Sequence, residues 1–74
     1  MFYADERRFH MKQNAMKDIR EDQKISIKTM AEETGLSLRY LYFIENGQRS
    51  PSMKAAKKIS TVLGKSIEEI FFAH

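Results

Sequence analysis

Apolar residues recur along this chain at three- and four-residue intervals and seldom alternate, a pattern that predicts amphipathic helices rather than strands. Phe9, Met16 and Ile19 share one face of a first helix, while Lys12, Lys17, Glu21 and Asp22 lie mostly elsewhere. That helix is expected to end near Gln23 and to start anywhere from Asp5 to Asn14. Ser26 can cap a second helix, Ile27 to Thr34, which Gly35 closes with a left-handed turn. Ser37 caps a third, Leu38 to Glu45, ending at Asn46-Gly47. Pro51-Ser52 opens a fourth, with Met53, Ala56, Ile59 and Leu63 on its apolar side and Gly64 at its end. Ser66-Ile67-Glu68-Glu69 is a capping box that starts a short fifth helix through Ile70 and Phe71. The expected fold is all-α, five helices with short joints. Residues 1–13 form an N-terminal extension, helical or not, and residues 14–74 one domain.

The middle of the chain is the most informative. Two short helices joined through a glycine turn meet at a steep angle in a helix-turn-helix, whose second helix can enter the DNA major groove. That arrangement needs a small residue where the helices cross, a residue tolerant of positive φ in the turn, and apolar anchors on the second helix. Ala31, Gly35, and Leu36 with Leu41 and Ile44 meet these needs in register.

Composition narrows the picture further. At 74 residues without cysteine, the chain makes one small domain with no disulfide or thiolate metal site to brace it. The net charge of +3 permits a polyanionic partner without demanding one. No run approaches the ~18–20 apolar residues a membrane span needs. Met1-Phe2-Tyr3-Ala4-Asp5-Glu6 lacks the charged-then-apolar order of an export signal, so a cytoplasmic location is expected. Catalysis is not expected, and no cofactor or metal is called for. The two histidines, His10 and His74, stand near opposite ends with no cysteine to join them. Gly64-Lys65-Ser66 has the tail of a phosphate-binding loop, but Ile59 stands where that motif needs its first glycine.

The run from Ile25 to Ser37, ISIKTMAEETGLS, continued by Ile44-Glu45-Asn46-Gly47-Gln48-Arg49-Ser50-Pro51-Ser52, resembles the Cro/C1-type, or xenobiotic-response-element, family of helix-turn-helix regulators. The similarity runs from about Asn14 to Phe71. It implies a phage-repressor-like DNA-binding domain with the helix-turn-helix at the second and third helices, acting as a transcriptional repressor or activator, with repressor the expected role. It also implies that Arg20 and Glu45 form an internal salt bridge between the first and third helices, and that Asn46, Gly47 and Arg49 lie in a loop that meets DNA phosphates. Ser37, Lys28, Tyr40 and Lys54 are further expected phosphate contacts.

The expected base-reading residues are Leu38, Arg39, Tyr42, Phe43 and Ile27. Among Leu38, Arg39 and Phe43, only Arg39 can make a bidentate bond to guanine, while Leu38 and Phe43 can pack on thymine methyls. The same residues form an apolar patch, so an alternative is a protein-interaction module of the antirepressor or antitoxin kind. Lys57 and Lys58 read as a solvated face. Arg7 and Arg8 suit either an arm along DNA or a charged helix extension. The expected partner is double-stranded DNA, a pseudo-palindromic operator bound by a homodimer. Its interface would come from Phe72, Phe71 and Ile67 or from Phe2, Tyr3 and Phe9; Phe71 is expected rather to complete the core, which leaves Phe72 the better candidate of the first set.

Overall fold

The computed structural model describes residues 14–72; the expected extension, with Phe2, Tyr3, Arg7, Arg8, Phe9 and His10, and the terminal His74 lie outside them. Four α-helices follow in order, α1 (Met16–Asp22), α2 (Ile27–Thr34), α3 (Leu38–Glu45) and α4 (Met53–Leu63), then a π-helical turn, Glu68–Phe72. No strand occurs among the described residues.

Local chemistry accounts for most boundaries. The Ser26, Ser37 and Ser52 side chains accept the backbone N–H groups of Thr29, Tyr40 and Ala55, satisfying donors that each first helical turn leaves free. Gly35, at φ 75°, ends α2 and turns the chain into α3. A side chain there would meet nothing within 4 Å, so the demand for glycine is a matter of backbone conformation, not of space. The end of α1 uses the same turn without glycine. Lys24 takes φ 62°, Ile25 N–H bonds to Arg20 C=O at 3.0 Å and Lys24 N–H to Glu21 C=O at 3.0 Å. These paired bonds are the Schellman arrangement.

Ser66 and Glu69 form the reciprocal bonds of a capping box: Ser66 N–H to Glu69 Oε1 at 2.9 Å, and Glu69 N–H to Ser66 Oγ at 3.0 Å. The turn they start is π-helical rather than the α-helix expected, and its Ile70 carbonyl accepts from Ala15 N–H at 2.7 Å. That bond joins the last element to the start of the first.

Met16, Met30, Leu41, Ile44, Ile59 and Ile70 are fully buried, so every described element contributes to one core. α2 packs on both α3 and α4, and α1 on the π-helical turn. One expectation about the core fails. The spacing puts Met53 on the apolar side of α4, yet it is 61% exposed, and Ala55 is buried in its stead. The spacing Met53–Ala56–Ile59 takes two three-residue steps, which rotate a helical face by roughly 120° in all. Ala55, four residues before Ile59, stays within roughly 40° of it.

Candidate nucleic-acid interface

Polar residues buried behind α3 hold it in place. Arg20 and Glu45 lie almost wholly inside, with 10% and 2% of their side chains exposed. Arg20 Nε donates to Glu45 Oε2 at 2.7 Å and Nη2 to Oε1 at 3.3 Å, a bidentate pair between α1 and α3. Nη1 donates to Ile25 C=O at 2.8 Å, tying in the segment before α2. The Glu45 hydrogen bond holds the Arg20 guanidinium above its ordinary range, so it remains charged despite burial.

Asn14 adds a second tie: its Nδ2 donates to Ile44 C=O at 2.9 Å while its Oδ1 accepts from Met16 N–H at 3.1 Å. At the turn between α2 and α3, the buried Thr34 hydroxyl donates to Met30 C=O at 2.6 Å and accepts from Leu36 N–H at 3.2 Å. Sequence reasoning missed Asn14 and Thr34. The bond from Asn14 spans 30 positions, and no local pattern announces it.

With one face of α3 fixed by Leu41, Ile44 and Glu45, its outer face carries Leu38, Arg39, Tyr42 and part of Phe43. Leu38 is 41% exposed and Tyr42 46%. Phe43 is half-buried, and so is Ile27, which packs against the core. The exposed apolar patch is therefore narrower than expected and centres on Leu38 and Tyr42. The Arg39 guanidinium carbon stands 5.9 Å from the centre of the Phe43 ring, within cation–π range one turn along the helix.

Arg49, in the loop after α3, is exposed and stands 5.5 Å from the centre of the half-buried Tyr40 ring. The Tyr40 hydroxyl accepts from Ser52 N–H at 3.2 Å, which ties α3 to the start of α4 and leaves the hydroxyl proton free to donate. Ser37, Lys28, Asn46 and Lys54 are exposed, and Gly47 is half-buried at φ 77°. Lys57 and Lys58 are exposed on α4.

Of the three residues named for a dimer contact in the C-terminal segment, only Phe72 is exposed, at 63%. Phe71 is buried in the core and Ile67 is half-buried against it. Phe72 borders a shallow groove of about 150 Å³ with Pro51, Met53, Ala56, Ile67 and Phe71.

Among the described residues, no group of three or more His, Cys, Asp or Glu could hold a metal, and no helix is long and apolar enough to cross a membrane. The sequence profile of the helix-turn-helix family matches residues 16–70, from the first residue of α1 into the π-helical turn. The chain belongs to the Cro/C1-type helix-turn-helix family. Its relatives include helix-turn-helix transcriptional regulators of two archaea. One, from Archaeoglobus fulgidus, is 32% identical over 56 residues, 76% of this chain and 79% of that protein. The other, from Methanocaldococcus jannaschii, is 34% identical over 58 residues, 78% and 88% of the two chains. In three dimensions the chain resembles the restriction-modification controller protein C.AhdI of Aeromonas hydrophila, with a TM-score of 0.73 and 29% identity over 90% of this chain and 97% of that one. These relatives make the chain a member of a family of DNA-binding transcriptional regulators, which are not enzymes in general.

Proposed function

We propose that the chain binds double-stranded DNA sequence-specifically in the cytoplasm, with α3 in the major groove, and acts as a transcriptional repressor. The observation that carries this reading is the two-sided build of α3. Leu41, Ile44 and Glu45 are buried, while Leu38, Arg39 and Tyr42 face outward, and Lys28 on α2 and Arg49 in the loop after α3 are exposed cations. Arg39 reads a base, aided by Leu38, Tyr42, Phe43 and the edge of Ile27. Ser37, Lys28, Tyr40, Asn46, Gly47, Arg49 and Lys54 hold the phosphates. One such helix contacts few bases, so a two-fold dimer on half-sites about 34 Å apart supplies the specificity. Phe72 and Met53, both exposed and both lining the groove, are the contact surface between copies.

Selection from random or genomic DNA tests this directly. An enriched sequence should emerge, with affinity falling steeply as salt rises. Arg39→Ala should relax base preference more than Lys58→Ala does. The exposure of Leu38 and Tyr42 also favours a second reading, a surface for a protein partner. In that case selection returns no enriched sequence.

A further inference from the structure

The outward side chains of α3 form a restricted chemical set. Bidentate recognition of adenine takes Asn or Gln, and a contact to the cytosine amino group takes Asp or Glu. α3 has no Asn, Gln or Asp, and its one carboxylate, Glu45, faces inward and is consumed by Arg20. The Ser37 hydroxyl already accepts from Tyr40 N–H, and Tyr42 offers one hydroxyl, too few bonds to separate bases. What remains is the Arg39 guanidinium, with its donors in a fixed fork, and an apolar surface made by Leu38, the Tyr42 ring and the Phe43 edge.

The Arg39–Phe43 contact matters here because it places the charge next to the apolar surface. The Arg39 guanidinium carbon lies 5.9 Å from the Phe43 ring centre, so charge and ring stand together one turn apart on α3. Charge and ring thus stand side by side on the surface that would meet the groove. In the major groove, guanine presents two acceptors, O6 and N7, and thymine presents a methyl group.

Resting on the reading of α3 as the DNA-contacting helix, we infer that the half-site is read as guanine next to thymine. Arg39 takes guanine O6 and N7, and Leu38, Tyr42 and Phe43 enclose thymine methyls. Adenine and cytosine are specified only as the partners of these bases. Recognition depends on the methyl group itself, a point that sets it apart from readout by hydrogen bonds alone.

The experiment uses the full chain and the sequence enriched by selection, with each contacted thymine replaced by deoxyuridine. That change deletes only the methyl group and keeps pairing intact. Affinity should drop about fourfold for each enclosed methyl. The difference between thymine and uracil should fall towards one in Leu38→Ala, a change at an exposed position that leaves the core untouched. Replacing the contacted guanine by 7-deazaguanine should weaken binding about tenfold, with little further loss in Arg39→Ala. Phe43→Ala is an informative companion only where melting shows it folded, so the uracil and deazaguanine arms carry the test on the unmodified protein. Equal affinity for thymine and uracil sites, or indifference to 7-deazaguanine, overturns the inference while leaving DNA binding intact. Failure of the selection to enrich any sequence removes both.

Discussion

Replacing Glu45 by alanine tests whether the fold depends on its buried ion pair. The change deletes both carboxylate bonds at 2.7 and 3.3 Å and leaves the Arg20 guanidinium inside with Ile25 C=O as its remaining short partner. Breaking a buried pair by removing one partner costs about 3–5 kcal/mol, because the other charge stays desolvated. Glu21 Oε2, 4.0 Å from Arg20 Nη2 and 56% exposed, offsets part of this, which places the cost near about 3 kcal/mol. A chain of 74 residues has about 4–11 kcal/mol of stability in total, so the variant should be close to unfolding.

Urea denaturation followed by circular dichroism should show the midpoint falling by about 3 M at a slope near 1 kcal/mol/M. The double variant Arg20→Met, Glu45→Leu should recover most of the loss, since an apolar pair of similar volume carries no desolvation cost. Because Arg20 is held above its ordinary range, its contribution is complete at every pH below the unfolded-state value. It is lost only as pH rises through the still higher folded one, so the Glu45→Ala penalty should stay constant from neutral to mildly alkaline pH. A midpoint shift equivalent to less than about 1 kcal/mol would mean that the pair behaves like a screened surface bridge, and the reasoning would fail.

Three other outcomes are expected. Gly35→Ala should destabilise by about 1–2 kcal/mol in thermal melts from positive-φ strain alone, since a Cβ meets no neighbour, whereas Lys24→Gly should stabilise by about 0.5–1 kcal/mol. Bonds from Ser66 hold the Glu69 carboxyl below its ordinary range, so its contribution is complete above the unfolded-state value and is lost as pH falls through the folded one. Protection factors of the amides around Ile70, exchange rates taken relative to the unstructured chain at the same pH, should therefore fall in acid, and Glu69→Gln should flatten that dependence. Arg49→Gln should weaken DNA binding about fivefold near 0.15 M salt and reduce the salt slope by about 0.9; Tyr40→Leu should reduce the effect of that change, and Tyr40→Phe should preserve it.

Elements set by adjacent residues were legible in the sequence, and those set by distant ones were not. Ser26, Ser37 and Ser52 cap helices because a hydroxyl reaches an N–H three residues ahead, a relation that sequence spacing displays. Lys24 in a left-handed conformation was not legible. Lysine has no intrinsic preference for that region and takes it because Ile25 and Arg20 are anchored on either side. Nor was the π-helical form of the last turn, which follows a capping box indistinguishable from one that starts an α-helix. At the site, Leu38 and Tyr42 stand exposed as their spacing implies, but Ile27 and Phe43 are drawn partly inward. Hydrophobic surface at the margin of an interface joins the core wherever geometry allows it.

The buried polar groups explain how such a small domain keeps its reading face independent of its stability. Arg20, Glu45, Asn14 and Thr34 spend their hydrogen bonds internally, fixing α3 at its C-terminal end and at the turn before its start. None of those bonds involves the side chains of Leu38, Arg39 or Tyr42, and exposed residues free of such ties shift stability by only about 0.5 kcal/mol when replaced. The outward face of α3 is thus free to change while the helix keeps its place. Arg39 is the exception that links the two surfaces. Its stack on the half-buried Phe43 makes the charge most suited to reading a base part of the packing that carries it.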